Sequence, residues 1–404
     1  MPDSAPFEDR VRSPAADAAA AAVEPDEVIR FARALITAPS ENPGGTEDAA
    51  AAVAGDILES LEASTTTIRG DAGRPSVVAR IGGEARPAVA WNGHLDVVPA
   101  GSLDTWSHPP FAGVLDGGRL LGRGAVDMKG AVGSALGAAS AIRRARVALG
   151  GSLVFHLVAD EELAGVHGTQ VLLARGLLDQ DAAIVGEPSS LRVGLAERGG
   201  AWMTLTAYGR AAHGSTPHLG VNAITSMSRV LLRLEEALPD RTHPLVGRPS
   251  VNAALIEGGS APNVVPDRCS VDIDRRIIPG ETDPEAVRAP FVDLIDRIRV
   301  EHPEVDVSVT VREWTHAAEA PPDSHIAAVS RAAVATETGS PPADLGFTGI
   351  TDARFYINDG NIPTVILGPG SLALAHTADE WVEVEELVAA ARTYARIFVA
   401  YLGV

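Results

Sequence analysis

The sequence predicts an α/β protein, a sheet with helices on both faces, interrupted by an inserted α+β unit of ferredoxin-like order. Three observations lead there. Short apolar strands alternate with helices up to about residue 190, the rhythm of a sheet covered on both sides. Between about 194 and 311 the order becomes β-α-β-β-α-β, the split unit of a ferredoxin-like sandwich. After Glu313 the first rhythm resumes, so the second unit lies within the first in sequence.

The elements follow in order. Residues 26–36 carry Val28, Phe31, Ala32 and Leu35 at helical spacing and stop before Pro39. Thr46 is placed to cap a second helix running to about Leu61. Strands are expected over 76–81 and 88–92, the latter leading into Gly93-His94-Leu95-Asp96. A hairpin over 113–121 turns at Asp116-Gly117-Gly118. A small-residue helix over 129–146, a strand over 152–159, a helix near 166–175 and a strand over 182–185 complete the first run. The insertion reads as strand 202–208, helix 222–238, strands 250–257 and 268–273, helix 284–299 and strand 304–311. A helix from about Ser324, a strand over 364–367 and a helix over 384–402 close the chain. The implied boundaries are a disordered Ala/Pro/Asp tail over 1–24, a first domain made of 25–192 and 315–404, and an insertion over 193–314.

Composition narrows the function. At 404 residues the chain exceeds one comfortable core. The net charge of −20 argues against a nucleic-acid partner, because phosphate binding needs the opposite sign. No apolar run is long enough to cross a bilayer. Asp3, Glu8 and Asp9 stand where an export signal would be basic, which predicts a cytoplasmic protein. The single cysteine, Cys269, excludes an internal disulfide and a thiolate cluster. Its alternating neighbours Val271 and Ile273 favour a packed thiol over a nucleophile. Any metal would therefore be held by His, Asp and Glu.

Candidates for that chemistry fall where strands end. His94 and Asp96 follow one strand, Asp160-Glu161-Glu162 another and Glu187 a third; open α/β sheets bind ligands beyond the carboxyl ends of their strands. Asp127 lies between the hairpin and a helix, and His376 follows Gly368-Pro369-Gly370. Singly, each is equally an ordinary surface pair, solvated acidic loop or turn residue. Their recurrence at strand ends favours a site for two divalent ions such as zinc, cobalt or manganese. No Gly-x-Ser-x-Gly elbow, Walker loop or Gly-x-Gly-x-x-Gly after the first strand competes with it.

At these residues the sequence resembles the acetylornithine deacetylase/succinyl-diaminopimelate desuccinylase family, which includes aminoacylases and glutamate-releasing carboxypeptidases. The similarity runs from about residue 26 to the C-terminus. It passes through Gly-His94-Leu-Asp96-Val-Val-Pro, Gly-Arg-Gly-Ala-Val-Asp127-Met-Lys-Gly, Asp160-Glu161-Glu162, Val-Gly-Glu187-Pro, Ala-His213-Gly-Ser, Pro-Asn263-Val-Val-Pro, Asp274-Arg-Arg276, Thr351-Asp352-Ala-Arg354-Phe and His376-Thr. The resemblance implies a metal-binding catalytic domain on a mixed sheet, with the insertion as a dimerisation (lid) domain of a homodimer. It implies two ions, zinc first and cobalt or manganese as alternatives, with His94 and Glu187 on one, Glu162 and His376 on the other, and Asp127 bridging. By the same resemblance Asp96 hydrogen-bonds the free nitrogen of His94, Glu161 is the general base, and the Asp127–Met128 peptide is cis. His213 stabilises the oxyanion, from its own chain or its partner's. Asn263, Arg276 and Arg354 contact substrate. The implied reaction removes the acyl group from a small N-acyl amino acid. The alternatives are an exopeptidase with the same machinery, acting on short peptides, and a metal-stabilised binding protein without turnover.

Overall fold

A computed structural model describes residues 7–404, which form two compact units. The first comprises the residues up to Leu195 together with Ala320–Leu345 and Thr351–Val404; the second comprises Ala196–Glu319 and Gly346–Ile350. The return of 346–350 to the second unit has no sequence signal, since the short strand Asp344–Phe347 that leads into it is not apolar enough to stand out.

The first unit is built on a mixed sheet in the order Ser64–Arg69, Pro75–Ile81, Ser152–Val158, Ala88–His94, Ala182–Val185, Thr364–Ile366 and Val193–Glu197. Ser152–Val158, Ala88–His94 and Ala182–Val185 run parallel, so their carboxyl ends emerge on one edge. Every residue of these three strands is buried, which explains why they read as continuous apolar runs without alternation. Lys129–Arg144 and Pro25–Ile36 are among the helices that pack on this unit, and their approach is close. A Cβ on Gly133 would stand 2.6 Å from the Ala32 backbone nitrogen, so glycine is required there. The hairpin strands Val114–Asp116 and Arg119–Leu121 turn at Gly117 and Gly118, and Trp381–Glu383 adds a third strand.

The amino-terminal segment departs from its expectation. Residues 1–6 lie outside the described residues, but Phe7–Val11 and Pro14–Ala21 are helices where a disordered tail was predicted. Ser13 caps the second by accepting the Ala16 N–H, and Val11, Ala16, Ala19 and Ala20 are buried. Arg396 donates to the Val11 carbonyl (2.8 Å) and pairs with Asp17 (2.6 Å). Alanine is the best helix former, and its small side chain lets such a helix pack closely. The Ala-rich composition therefore meant a packed helix and not a tail.

The second unit is a four-stranded antiparallel sheet in the order Ser250–Gly258, Arg268–Ile277, Gly199–Tyr208, Asp306–Thr315, with the helices Ala223–Leu231 and Pro284–Glu301. Met203, Leu205, Met227, Val271, Phe291 and Leu294 form its core, with the buried thiol of Cys269 among them. The helix expected over 222–238 stops at Leu231 and resumes as the 3-10 turn Leu234–Ala237. Along Arg268–Ile277 burial alternates, placing Asp272, Asp274 and Arg276 on the more open face and Arg275 in the interior.

Among the described residues no helix is long and apolar enough to cross a membrane.

His156 gives the first unit a distinct response to acid. It is fully buried in Ser152–Val158, with Nδ1 2.6 Å from the Tyr356 hydroxyl. Burial, helped by the charge of Arg80, pushes its pKa down to about 3. Below pH ~6.5 the unfolded chain takes up a proton that the native state refuses, so this contribution to stability is present above that pH and is lost as pH falls. The loss approaches ~1.4 kcal/mol per pH unit. In urea unfolding between pH 7 and 5, the His156→Gln variant is expected to lose less stability than wild type by about that slope. Parallel pH dependences would show that His156 does not contribute.

Candidate metal centre

Each side chain of the centre reaches it from the end of an element. His94 is the last residue of Ala88–His94, Glu187 follows Ala182–Val185, and Asp127 precedes Lys129–Arg144. Glu161 and Glu162 open the 3-10 turn Glu161–Leu163 after Ser152–Val158. His376 lies on the segment between the 3-10 turn Leu372–Leu374 and the strand Trp381–Glu383. His94, Asp127 and Glu187 are buried, Glu162 is half-buried and His376 is exposed.

Five of the sequence candidates meet here in two groups sharing Asp127. In each group, His94–Asp127–Glu187 and Asp127–Glu162–His376, one ligand atom per residue lies within 4.8 Å of the others. The two oxygens of Asp127 face different histidines: Oδ1 is 3.0 Å from His94 Nε2, and Oδ2 is 3.4 Å from His376 Nε2. Glu187 Oε1 lies 3.7 Å from His94 Nε2, and Glu162 Oε2 lies 3.1 Å from His376 Nε2. Glu161 belongs to neither group. The Asp127–Met128 peptide is cis.

Asp96 meets the free nitrogen of His94 as expected, through its main chain. The carbonyl of Asp96, not its carboxylate, meets His94 Nδ1 at 2.8 Å, and carboxylate Oδ1 is 3.7 Å away. The carbonyl can only accept, so Nδ1 is the donor to it and Nε2 is the nitrogen directed at Asp127 and Glu187. The carboxylate instead accepts the N–H groups of Glu161 (3.1 Å) and Glu162 (3.2 Å), and Asn42 Nδ2 donates to it at 2.8 Å. Asp96 thus caps the turn that presents both glutamates.

The same turn needs other supports, because both its flanking residues, Asp160 (φ 66°) and Ala164 (φ 80°), are left-handed. Asp160 accepts the His167 N–H at 2.9 Å and pairs with Arg74, which also pairs with buried Glu47. Arg354 donates to the Ala164 carbonyl at 2.7 Å and to the Thr351 carbonyl. It is 5% exposed. Its expected contact with substrate is therefore corrected: the guanidinium is occupied by backbone and holds the glutamate turn. Asn42, Glu47 and Arg74 were missed in the sequence reading. The polar run Ser40-Glu41-Asn42 between two helices was the available signal.

Charge is stored in this cluster as protons. Burial, and then the charge of Asp127, raises the Glu187 pKa well above the usual carboxylate range. Burial and Glu187 do the same to Glu161, and burial and Asp127 raise Glu162. The hydrogen bonds to Asp127 and Glu162 push His376 up to about 10. For His94, burial opposes the charged form, but the Asp127 hydrogen bond and the surrounding carboxylates raise it well above its ordinary value. Burial likewise opposes ionisation of Asp127, and the His376 and His94 hydrogen bonds overcome it to hold the carboxyl low. The two imidazoles of His94 and His376 and the three carboxylates of Asp127, Glu162 and Glu187 form a donor set fitted to borderline-hard divalent ions.

In the second unit, His213 and Asn263 adjoin. The Gly214 N–H donates to the Asn263 carbonyl at 2.7 Å, and His213 bridges to Val264. Both side chains are exposed, with His213 Nδ1 2.7 Å from Ser215 Oγ. Arg276 pairs with Asp274 at 3.0 Å.

The sequence profile of peptidase family M20/M25/M40 matches residues 90–400. The chain belongs to that family. It is a hydrolase acting on amide bonds. A succinyl-diaminopimelate desuccinylase of Paracoccus denitrificans is 31% identical over 345 residues, covering 82% of this chain and 87% of its own. A probable succinyl-diaminopimelate desuccinylase of Staphylococcus epidermidis is 27% identical over 376 residues, covering 86% and 91%. Among solved structures, an aminopeptidase of Bacillus cereus superposes with a TM-score of 0.75 at 20% identity, covering 95% of this chain and 100% of its own. An M20 dinuclear metal-binding peptidase of Bacillus subtilis gives 0.70 at 18%, covering 94% and 98%. At such identities these two likenesses speak to the fold.

In this M20 hydrolase the Asp96→Asn variant retains one carbonyl oxygen for two N–H donors. It is expected to lower kcat about 10–100-fold and to weaken metal binding at the Glu162 group. Steady-state kinetics and metal titration at fixed pH check this. Unchanged values for both would show that the cap has no influence on the glutamates.

Proposed function

We propose that this chain is a dinuclear metal-dependent amidohydrolase. Its reaction would remove the acyl group from a small N-acyl amino acid, in the manner of acetylornithine deacetylases and succinyl-diaminopimelate desuccinylases. The observation that carries the metal chemistry is Asp127 contributing one oxygen to each of two donor groups, with Glu161 beside them and outside both. The desuccinylase relatives, similar over most of their length, support the substrate class.

His94 and Glu187 would hold one ion, Glu162 and His376 the other, with Asp127 offering an oxygen to each. Two divalent ions there, zinc first and cobalt or manganese as alternatives, would supply Lewis acidity toward the scissile carbonyl and the attacking water. Glu161 takes the proton from that water and delivers it to the departing amine nitrogen. A carboxyl group with a raised pKa suits both directions of that transfer. His213 is the candidate for oxyanion stabilisation, and Asn263 and Arg276 are candidates for substrate contact. Arg276 would exchange Asp274 for the carboxylate of the amino acid in a bidentate pair.

A homodimer through the second unit belongs to the same reading. Its edge strand Ser250–Gly258 is largely exposed, with Leu255 at 67% and Ile256 at 64%, and an uncovered apolar edge invites pairing. Light scattering that returns the mass of a single chain would remove this part.

Hydrolysis of N-acetyl amino acids, N-succinyl amino acids and dipeptides by metal-restored protein tests the function. Turnover of the acylated amino acids is expected. A clear preference for dipeptides would replace the reading with an exopeptidase, and failure on every amide would contradict it. The Glu161→Gln variant is expected to keep two ions per chain while kcat falls about 10²–10⁴-fold. Loss of metal, or wild-type turnover, would show that Glu161 is not the proton carrier.

A further inference from the structure

The segment carrying His376 is an unusual support for a metal ligand. His376 is exposed and left-handed (φ 63°), and Asp379 is left-handed too (φ 53°). L-residues rarely adopt that conformation, and they persist in it where surrounding contacts over-determine the backbone. Neither residue is glycine, and the segment lies in no helix and no sheet until Trp381. Something outside the segment must therefore set its path.

Glu380, the last residue of the segment, ties it to such an anchor in Arg123, Val126 and Asp127. It is 1% exposed, and its carboxylate is fully used. Oε1 accepts the backbone N–H of Val126 at 2.9 Å and of Asp127 at 3.1 Å. Oε2 accepts from Arg123 Nη1 at 2.6 Å. The same Arg123 nitrogen donates to the carbonyl of Thr377, the residue after His376, at 3.1 Å. The Glu380 carbonyl accepts the Gly122 N–H at 2.9 Å. Arg123 is itself 3% exposed and lies 5.2 Å over the Trp106 ring. On the outer side, Asp379 accepts both the N–H and the hydroxyl of Ser107 at 2.7 Å each. The chain is thus pinned on both sides of the tetrapeptide that follows His376. The inner pin also holds the amide of Asp127, whose carboxylate is shared between the two donor groups.

We propose that Glu380, acting with Arg123, is a positioning residue for the second donor group. It locks the His376 segment to the Asp127 backbone, so that His376, Glu162 and Asp127 Oδ2 stay within reach of one ion. This rests on the dinuclear reading. The His94 group needs no such help, because His94 is fixed by its own strand and by the Asp96 carbonyl. The consequence is asymmetric: releasing Glu380 from Arg123 while keeping its acceptor for the Asp127 amide loosens one ion and not the other. A contact that merely stabilised the fold would produce no such asymmetry.

Calorimetric zinc titration of the chelated protein tests the proposal. Wild type is expected to bind two ions; if it does not, the dinuclear reading fails independently of Glu380. The Glu380→Gln variant keeps an acceptor for Val126 and Asp127 but turns an amide toward Arg123. It is expected to bind one ion as wild type does and the other about 10–100-fold more weakly. That profile should resemble His376→Ala, and turnover should recover as zinc is raised. Asp379→Asn, a surface change that spares the buried pair, is expected to weaken the same ion by a few-fold, and it decides the matter if Glu380→Gln does not fold. Two ions bound with wild-type affinity in the folded variant, or equal weakening of both, would overturn the proposal.

Discussion

Like charges are not packed together out of water without something of opposite sign between them. Asp127, Glu161, Glu162 and Glu187 nonetheless converge with two imidazoles at the ends of buried, parallel strands. Each strand end is dictated by its own apolar run, and parallel pairing brings those ends to one edge. Burial, and then this repulsion, raises the pKa of all three glutamates, and the same carboxylates raise those of both histidines. Divalent ions relieve that repulsion, so the cation requirement follows from the way the sheet is assembled.

A cluster under such repulsion stays in place only if its backbone is held by other means. The glutamate turn is capped by Asp96 and tied by Arg354, and Asp160 by Arg74. The His376 segment is tied by Arg123 and Glu380. All these tethers are ionised groups meeting backbone amides, carbonyls or buried counter-charges, the stronger class of hydrogen bond. Apart from Arg74, which pairs with carboxylates, they share one geometry: a side chain from one loop satisfies the main chain of another. The centre is therefore a set of loops bound to one another above the sheet, and its precision comes from the residues between the loops.

That division explains what the sequence disclosed. The order of elements along the chain in both units rested on apolar runs and turn residues, which are local signals. His94, Asp127, Glu162, Glu187 and His376 were legible because His and carboxylates at strand ends are uncommon, and because each sits in a motif resembling one family. The tethers were not legible. Asn42, Arg74, Arg123 and Glu380 lie in loops, where no periodicity separates a buried polar residue from a solvated one. Arg354 was misread for the complementary reason: an arginine in a site motif suggests a ligand for substrate, and only the fold shows its donors occupied by Thr351 and Ala164. Asp96 was assigned to the right neighbour, but the sequence did not disclose that its carbonyl makes the contact while its carboxylate caps the glutamate turn. The Ala-rich start was taken for a tail because its packing depends on small size and not on hydrophobic pattern.

The claim at the centre of this account is that one carboxylate, Asp127, serves two cations. Crystals of the protein soaked with zinc and measured across the zinc absorption edge address it directly. The account predicts two anomalous peaks, one among His94, Asp127 and Glu187 and one among Asp127, Glu162 and His376, with an oxygen of Asp127 at each. A single peak, or two peaks of which one has no Asp127 oxygen in its coordination sphere, would contradict it.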